Sequence, residues 1–89
     1  MASSPPTHPV RADGLEVNEV ADGLVVYQPD PERVHYLNNT AAVVFELCDG
    51  DRSRREIAAA LGELFSLAEV PTAEVEACLV ELVAKGVVR

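Results

Sequence analysis

VHYLNNTAAVVFELCDG, residues 34–50, changes its apolar period halfway along. Residues 34–37 are β-branched, aromatic and apolar, the composition of a half-buried strand. Residues 40–48 place Val44, Leu47 and Cys48 on one helical face, with Phe45 alongside. Asn38 and Asn39 stand at the joint, and either side chain can accept an orphan backbone N–H and so cap the helix. Asp49-Gly50-Asp51 closes the far end. A strand that turns directly into a helix divides the chain into a sheet before this corner and helices after it.

Upstream, residues 15–20 and 24–28 read as two more strands, with residues 33–37 as the third. Ala21-Asp22-Gly23 forms the first turn, where Gly23 is free to take a positive φ. Pro29-Asp30-Pro31-Glu32 forms the second, because proline cannot donate to a ladder. Tight turns between successive strands make an antiparallel meander. Residues 1–12, rich in Ser, Pro and Ala, are expected to form a flexible or loosely packed tail, leaving residues 13–89 as the folded domain.

Downstream, Ser53-Arg54-Arg55-Glu56 fits a capping box, with Ser at the N-cap and Glu three residues on. Ile57, Ala60, Leu61, Leu64 and Phe65 follow with helical spacing as one core-facing stripe. A third helix starts at Pro71-Thr72 with Thr72 as N-cap, runs to Lys85 and stops at Gly86; residues 87–89 add a short extended tail. At about 100° per residue, Val75, Cys78, Leu79 and Leu82 share one side of it. Ala77, Val80 and Ala84 gather in a second apolar patch, roughly opposite, which offers a face to a partner. The expected fold is α+β and winged-helix-like: a three-stranded antiparallel sheet followed by three helices.

Composition narrows the function. Eighty-nine residues make one small domain with little room for an enclosed active site. With no Trp and an aromatic share of 4%, the core must be aliphatic. The net charge of -8 opposes nucleic acid and anionic membranes and favours cationic segments as partners. The winged-helix outline suggests DNA binding, but the third helix carries Glu74, Glu76 and Glu81 against Lys85 alone, and phosphates would repel it. Cys48 and Cys78 lie in apolar helical patterns and read as reduced, buried thiols. His8 and His35 are too dispersed to complete a metal site with them. No nucleophile–base arrangement and no phosphate loop is present, so neither catalysis nor a cofactor is expected. No signal peptide and no apolar run of about 20 residues is visible, so a cytoplasmic location is expected.

Residues 34–50, followed by RSRREIAAALGELF and by LVELVAKGVV at residues 79–88, resemble the PqqD-like family over about residues 13–89. The resemblance implies a stand-alone recognition element for ribosomally made, post-translationally modified peptides. Such an element is a non-catalytic chaperone. It binds the leader of a precursor peptide and presents it to a modifying enzyme, often a radical S-adenosylmethionine protein. It also implies where the leader goes: as an added strand beside the third strand, in the cleft before the third helix. On that basis Arg33, Val34, His35, Tyr36 and Leu37 supply the edge, while Ala77, Val80, Ala84 and the acidic Glu81 line the opposite wall. The stretch VHYLN is closer to stand-alone relatives than to members of the PQQ pathway, so the broad family is expected and not that pathway. An unoccupied edge can also pair with its own copy, which leaves a homodimer open. The competing reading is a small acidic winged-helix adaptor or regulator with some other protein partner.

Overall fold

A computed structural model describes residues 6–29 and 32–89. Three strands, β1 (Glu16–Val20), β2 (Gly23–Pro29) and β3 (Glu32–Asn38), precede three helices, α1 (Asn39–Leu47), α2 (Arg54–Leu64) and α3 (Thr72–Ala84). The strands form one antiparallel sheet in the order β1-β2-β3, as the α+β reading requires.

Val20 pairs with Gly23, so Ala21 and Asp22 alone make the first hairpin loop. Gly23 does not take the positive φ that the sequence reading made available to it; it belongs to β2 and pairs with Asn38 of β3. Its real constraint is proximity, because a Cβ there would lie 1.8 Å from the Leu37 carbonyl oxygen. Pro29 pairs with Glu32, and Asp30 and Pro31 of the second expected turn lie outside the described residues.

Opposed residues in a ladder point to the same side. Leu24 pairs with Leu37, and Leu24, Val26 and Leu37 are all buried beneath the helices. Val25 pairs with Tyr36 and Tyr27 with Val34 on the opposite side, where Val34 and Tyr36 are exposed. The core is completed by Ala42, Val44, Phe45 and Cys48 from the first helix and its cap, Ile57, Ala58 and Leu61 from the second, Val75, Leu79 and Leu82 from the third, and Val87 and Val88 after it. Leu64 and Phe65, expected in the α2 stripe, are instead exposed, because the helix ends beside them and the chain turns away.

The strand-to-helix corner is held by Asn38, whose Oδ1 accepts the Ala41 N–H at 2.9 Å. The capping box forms as read: Ser53 Oγ accepts from the Glu56 N–H at 3.1 Å, and Glu56 Oε1 accepts from the Ser53 N–H at 2.8 Å. Thr72 is not the N-cap of α3; Pro71 holds that position with no side-chain hydrogen bond, and Thr72 is the first helical residue. The far end of α3 closes in a Schellman motif. Gly86 donates to the Val83 carbonyl and Val87 to that of Leu82, with Gly86 at φ 79°. Helix α2 ends the same way through Ser66 and Leu67, but Ser66 takes the left-handed φ of 53° without a glycine's freedom.

The described part of the expected tail is tied down. Val10 exchanges backbone hydrogen bonds with Arg89 at 2.8 Å each, Ala12 donates to Val87, and Arg11 donates to Cys48. Pro9 is fully buried. The Arg11 guanidinium reaches the carbonyl oxygens of Glu46 at 2.5 Å and Phe45 at 3.4 Å, at the C-terminal end of α1, where a cation is favoured. Local composition hid this role, because backbone pairing with residues 87–89 is a long-range event. Residues 1–5 lie outside the described residues.

Candidate functional site

The sheet has two outer edges, and among the described residues neither β1 nor β3 has a ladder partner beyond β2. The edge of β3 faces α3 across a gap between their backbones: no Cα of β3 comes within 8 Å of one in α3. Helix α1 packs behind both β2 and β3 and against α3, so it fills the space at the back and leaves the front open.

That opening is a groove of about 440 Å³, within the usual range for ligand clefts. Tyr36, Leu37, Asn38, Thr40 and Ala41 form its sheet-side wall, from the end of β3 across the corner into α1. Glu74, Ala77, Cys78, Glu81, Leu82 and Lys85 form its helix-side wall. These positions recur every three or four residues, as one face of α3 must. Leu37 and Leu82 are buried at 2% and 1% exposure, so the groove rests on the core. Ala77 and Ala41 leave room above it.

The groove's charge is uneven. Glu74 and Glu81 stand on the helix wall with Lys85 as its cation. Lys85 and Arg33 both act on His35, whose pKa is lowered from 6.5 first by burial and then by those two cations. His35 Nε2 lies 3.3 Å from Gln28 Oε1. Burial pushes the Cys78 thiol up, Glu81 adds to the rise, and Lys85 opposes it. Cys48 is buried in the core, where desolvation raises its pKa to about 12 and its Sγ donates to the Val44 carbonyl at 3.1 Å. Neither cysteine is an activated thiolate.

Among the residues expected at the site, Tyr36, Leu37, Ala77 and Glu81 meet across this groove. Arg33, Val34 and His35 belong to the same strand, before its lining segment. Val80 and Ala84 do not line the groove; they are exposed on a more outward face of α3. Sequence reasoning missed Asn38, Thr40, Ala41, Glu74, Cys78 and Lys85 as lining residues. Most had another explanation: Asn38 as a cap, Glu74 and Lys85 as favourable charges at the helix ends, and Cys78 as core. The usable signal was the six-position stripe on α3 that runs beside, and not opposite, its core face.

A second cavity, of about 460 Å³, lies at the start of α2 among Thr7, Ser53, Arg54, Arg55, Thr72 and Glu76. Its cations are partly engaged: Arg54 pairs with Glu76 at 3.1 Å, and neighbouring Arg52 pairs with Asp49 at 2.6 Å. Among the described residues, no group of three or more His, Cys, Asp or Glu could hold a metal, and no helix is long and apolar enough to cross a membrane.

Residues 23–88 match the family described as coenzyme PQQ synthesis protein D (PqqD). The chain is also similar to a solution NMR structure of the PqqD truncation of Methylobacterium extorquens PqqCD. That protein is described as a functional and stand-alone recognition element for ribosomally synthesised and post-translationally modified peptides. The two share 26% identity with a TM-score of 0.63, over 91% of this chain and 87% of the other. No curated protein matches the chain.

Proposed function

The chain belongs to the PqqD family, and from that premise we propose that it is a non-catalytic recognition element that binds the leader of a ribosomally made precursor peptide. The leader adds as a further strand along β3, and its side chains on one face enter the groove before α3. The bound peptide is then presented to a modifying enzyme, for which a radical S-adenosylmethionine protein is the class that the family resemblance suggests.

One observation carries this reading: the sheet edge and α3 stay apart along a groove that rests on the core. An exposed edge offers N–H and C=O groups at strand spacing, which an extended peptide satisfies whatever its sequence. The groove beside it then reads every second side chain. The similar recognition element supports the role. The acidic surface supports it too, because it disfavours the nucleic-acid alternative that the winged-helix outline invites.

The test is titration calorimetry with the leader half of a candidate precursor peptide of this class. One-to-one binding with a Kd of roughly 1 μM, about -8 kcal/mol, is expected. An absence of binding at roughly millimolar peptide, about -4 kcal/mol, would contradict it. Adding the protein to the modifying enzyme that acts on that precursor should raise the rate of modification of the full precursor, and not of a leaderless core peptide.

A further inference from the structure

The groove's charges are ordered along its length, and this order bears on what sequence it selects. Lys85 stands at one end, next to His35 and near Arg33. Glu74 stands toward the other end of the same wall, with Glu81 between them. At about 1.5 Å per residue, α3 carries Glu74 roughly 16 Å from Lys85 along the helix axis. Cys78 and Leu82 supply the apolar surface of this wall, and Ala77 keeps the space beside Glu74 and Glu81 open.

An extended peptide advances about 3.3 Å per residue and turns every second side chain to the same face. Two positions therefore cover roughly 7 Å and four positions roughly 13 Å. A side chain four positions from one that meets Lys85 comes down between Glu81 and Glu74, over Ala77. A long basic side chain there reaches either carboxylate. The side chain midway between them, roughly 7 Å from Lys85, lies level with Glu81, with the buried Leu82 and half-buried Cys78 to either side of it along the helix.

Resting on the peptide-binding reading above, we propose that this groove selects a leader that carries, on its groove-facing side, an acidic side chain and a basic one four positions apart. The acidic residue sits against Lys85, the basic one between Glu74 and Glu81. The charge order fixes both the register of the added strand and its direction, because a peptide entered backwards sets like charges together. Backbone pairing alone fixes neither, since a uniform edge accepts a strand at any two-residue offset.

The test selects a displayed library of random decapeptides on the wild-type protein and on the charge-swapped variant Glu74→Lys/Glu81→Lys/Lys85→Glu. Circular dichroism checks that the variant keeps its fold, and Glu74→Gln/Glu81→Gln serves as a milder second variant. Protection of Cys78 from iodoacetamide identifies peptides that occupy the groove. Wild-type binders are expected to carry an acidic and a basic residue four apart, in one fixed order. The swapped protein should enrich the reverse order, and the neutral variant should lose the basic preference alone. Reversing the two charges of an enriched peptide should weaken its binding to wild type about fivefold or more. Groove binders with no such charge pair would overturn the selectivity while leaving peptide binding intact. If no peptide protects Cys78, both readings fail.

Discussion

The two edges of the sheet pose the same chemical problem and meet different surroundings. Strand β1 is five residues long, exposed throughout, and carries Glu16, Asn18 and Glu19. Charges and short length blunt such an edge against further pairing. No Cα of any helix comes within 8 Å of β1, so no helix packs behind it as α1 packs behind β3. Strand β3 is seven residues long and has α1 packed behind it and α3 across the groove. A peptide added there would find both a ladder and a groove wall. Unpaired backbone groups make an edge sticky, and a wall at side-chain distance makes it selective.

The comparison can be broken most forcefully at Ala77. Ala77→Trp puts an indole into the groove from an exposed position, so the fold should persist while leader binding weakens about 30-fold, or roughly 2 kcal/mol. Asn18→Trp on β1 should leave the affinity unchanged, and Val80→Asp, outside the groove lining, should have a far smaller effect than Ala77→Trp. Equal losses from Asn18→Trp and Ala77→Trp would erase the distinction between the edges.

Gly23→Ala tests how β3 is held in place. The added methyl meets the Leu37 carbonyl, which the ladder cannot move without parting β2 from β3. Urea unfolding should show a loss of about 1–3 kcal/mol, the usual range for overpacking. An unchanged midpoint would mean that the close approach is not a constraint.

Ser66→Gly is the control far from both edges. It relieves the left-handed φ at the end of α2 and should raise stability by about 0.5–1 kcal/mol with no change in leader affinity.

The smallest effect is a pH dependence that belongs to the β3 side alone. His35 has a folded pKa below its ordinary 6.5, so the unfolded chain takes up its proton first as the solution is acidified. Its contribution to stability is fully present above 6.5 and declines as the pH falls through that value toward the folded pKa. Unfolding midpoints measured from pH 7.5 to 5.5, roughly a unit either side of the ordinary value, should decline less steeply in His35→Gln than in wild type.

Much of this fold is legible in the sequence, because its signals are local. Asn38 and the Ser53–Glu56 box announce helix starts through side chains that meet backbone groups three residues away. Gly86 announces a helix end through its own φ. What escaped reading is what needs distant partners. Pro9, Val10 and Arg11 look like tail until residues 48–50 and 87–89 arrive to pair with them. Leu64 and Phe65 continue a helical stripe, but the chain turns before the core can use them. The groove lies between these cases. Its strand and helix are each visible in the sequence, yet which face of α3 borders the gap depends on how the helix is rolled in the fold. That roll brings Cys78 and Lys85 into the wall and leaves Val80 and Ala84 outside it.

Backbone amide mapping of the labelled protein during titration with a leader peptide that it binds tests the strand-addition claim most directly. The expected result is that amides of residues 33–37 and of the groove face of α3 shift and gain protection from hydrogen exchange, while those of β1 stay as they were. Saturable binding that leaves residues 33–37 unprotected, or that protects β1 instead, would contradict it.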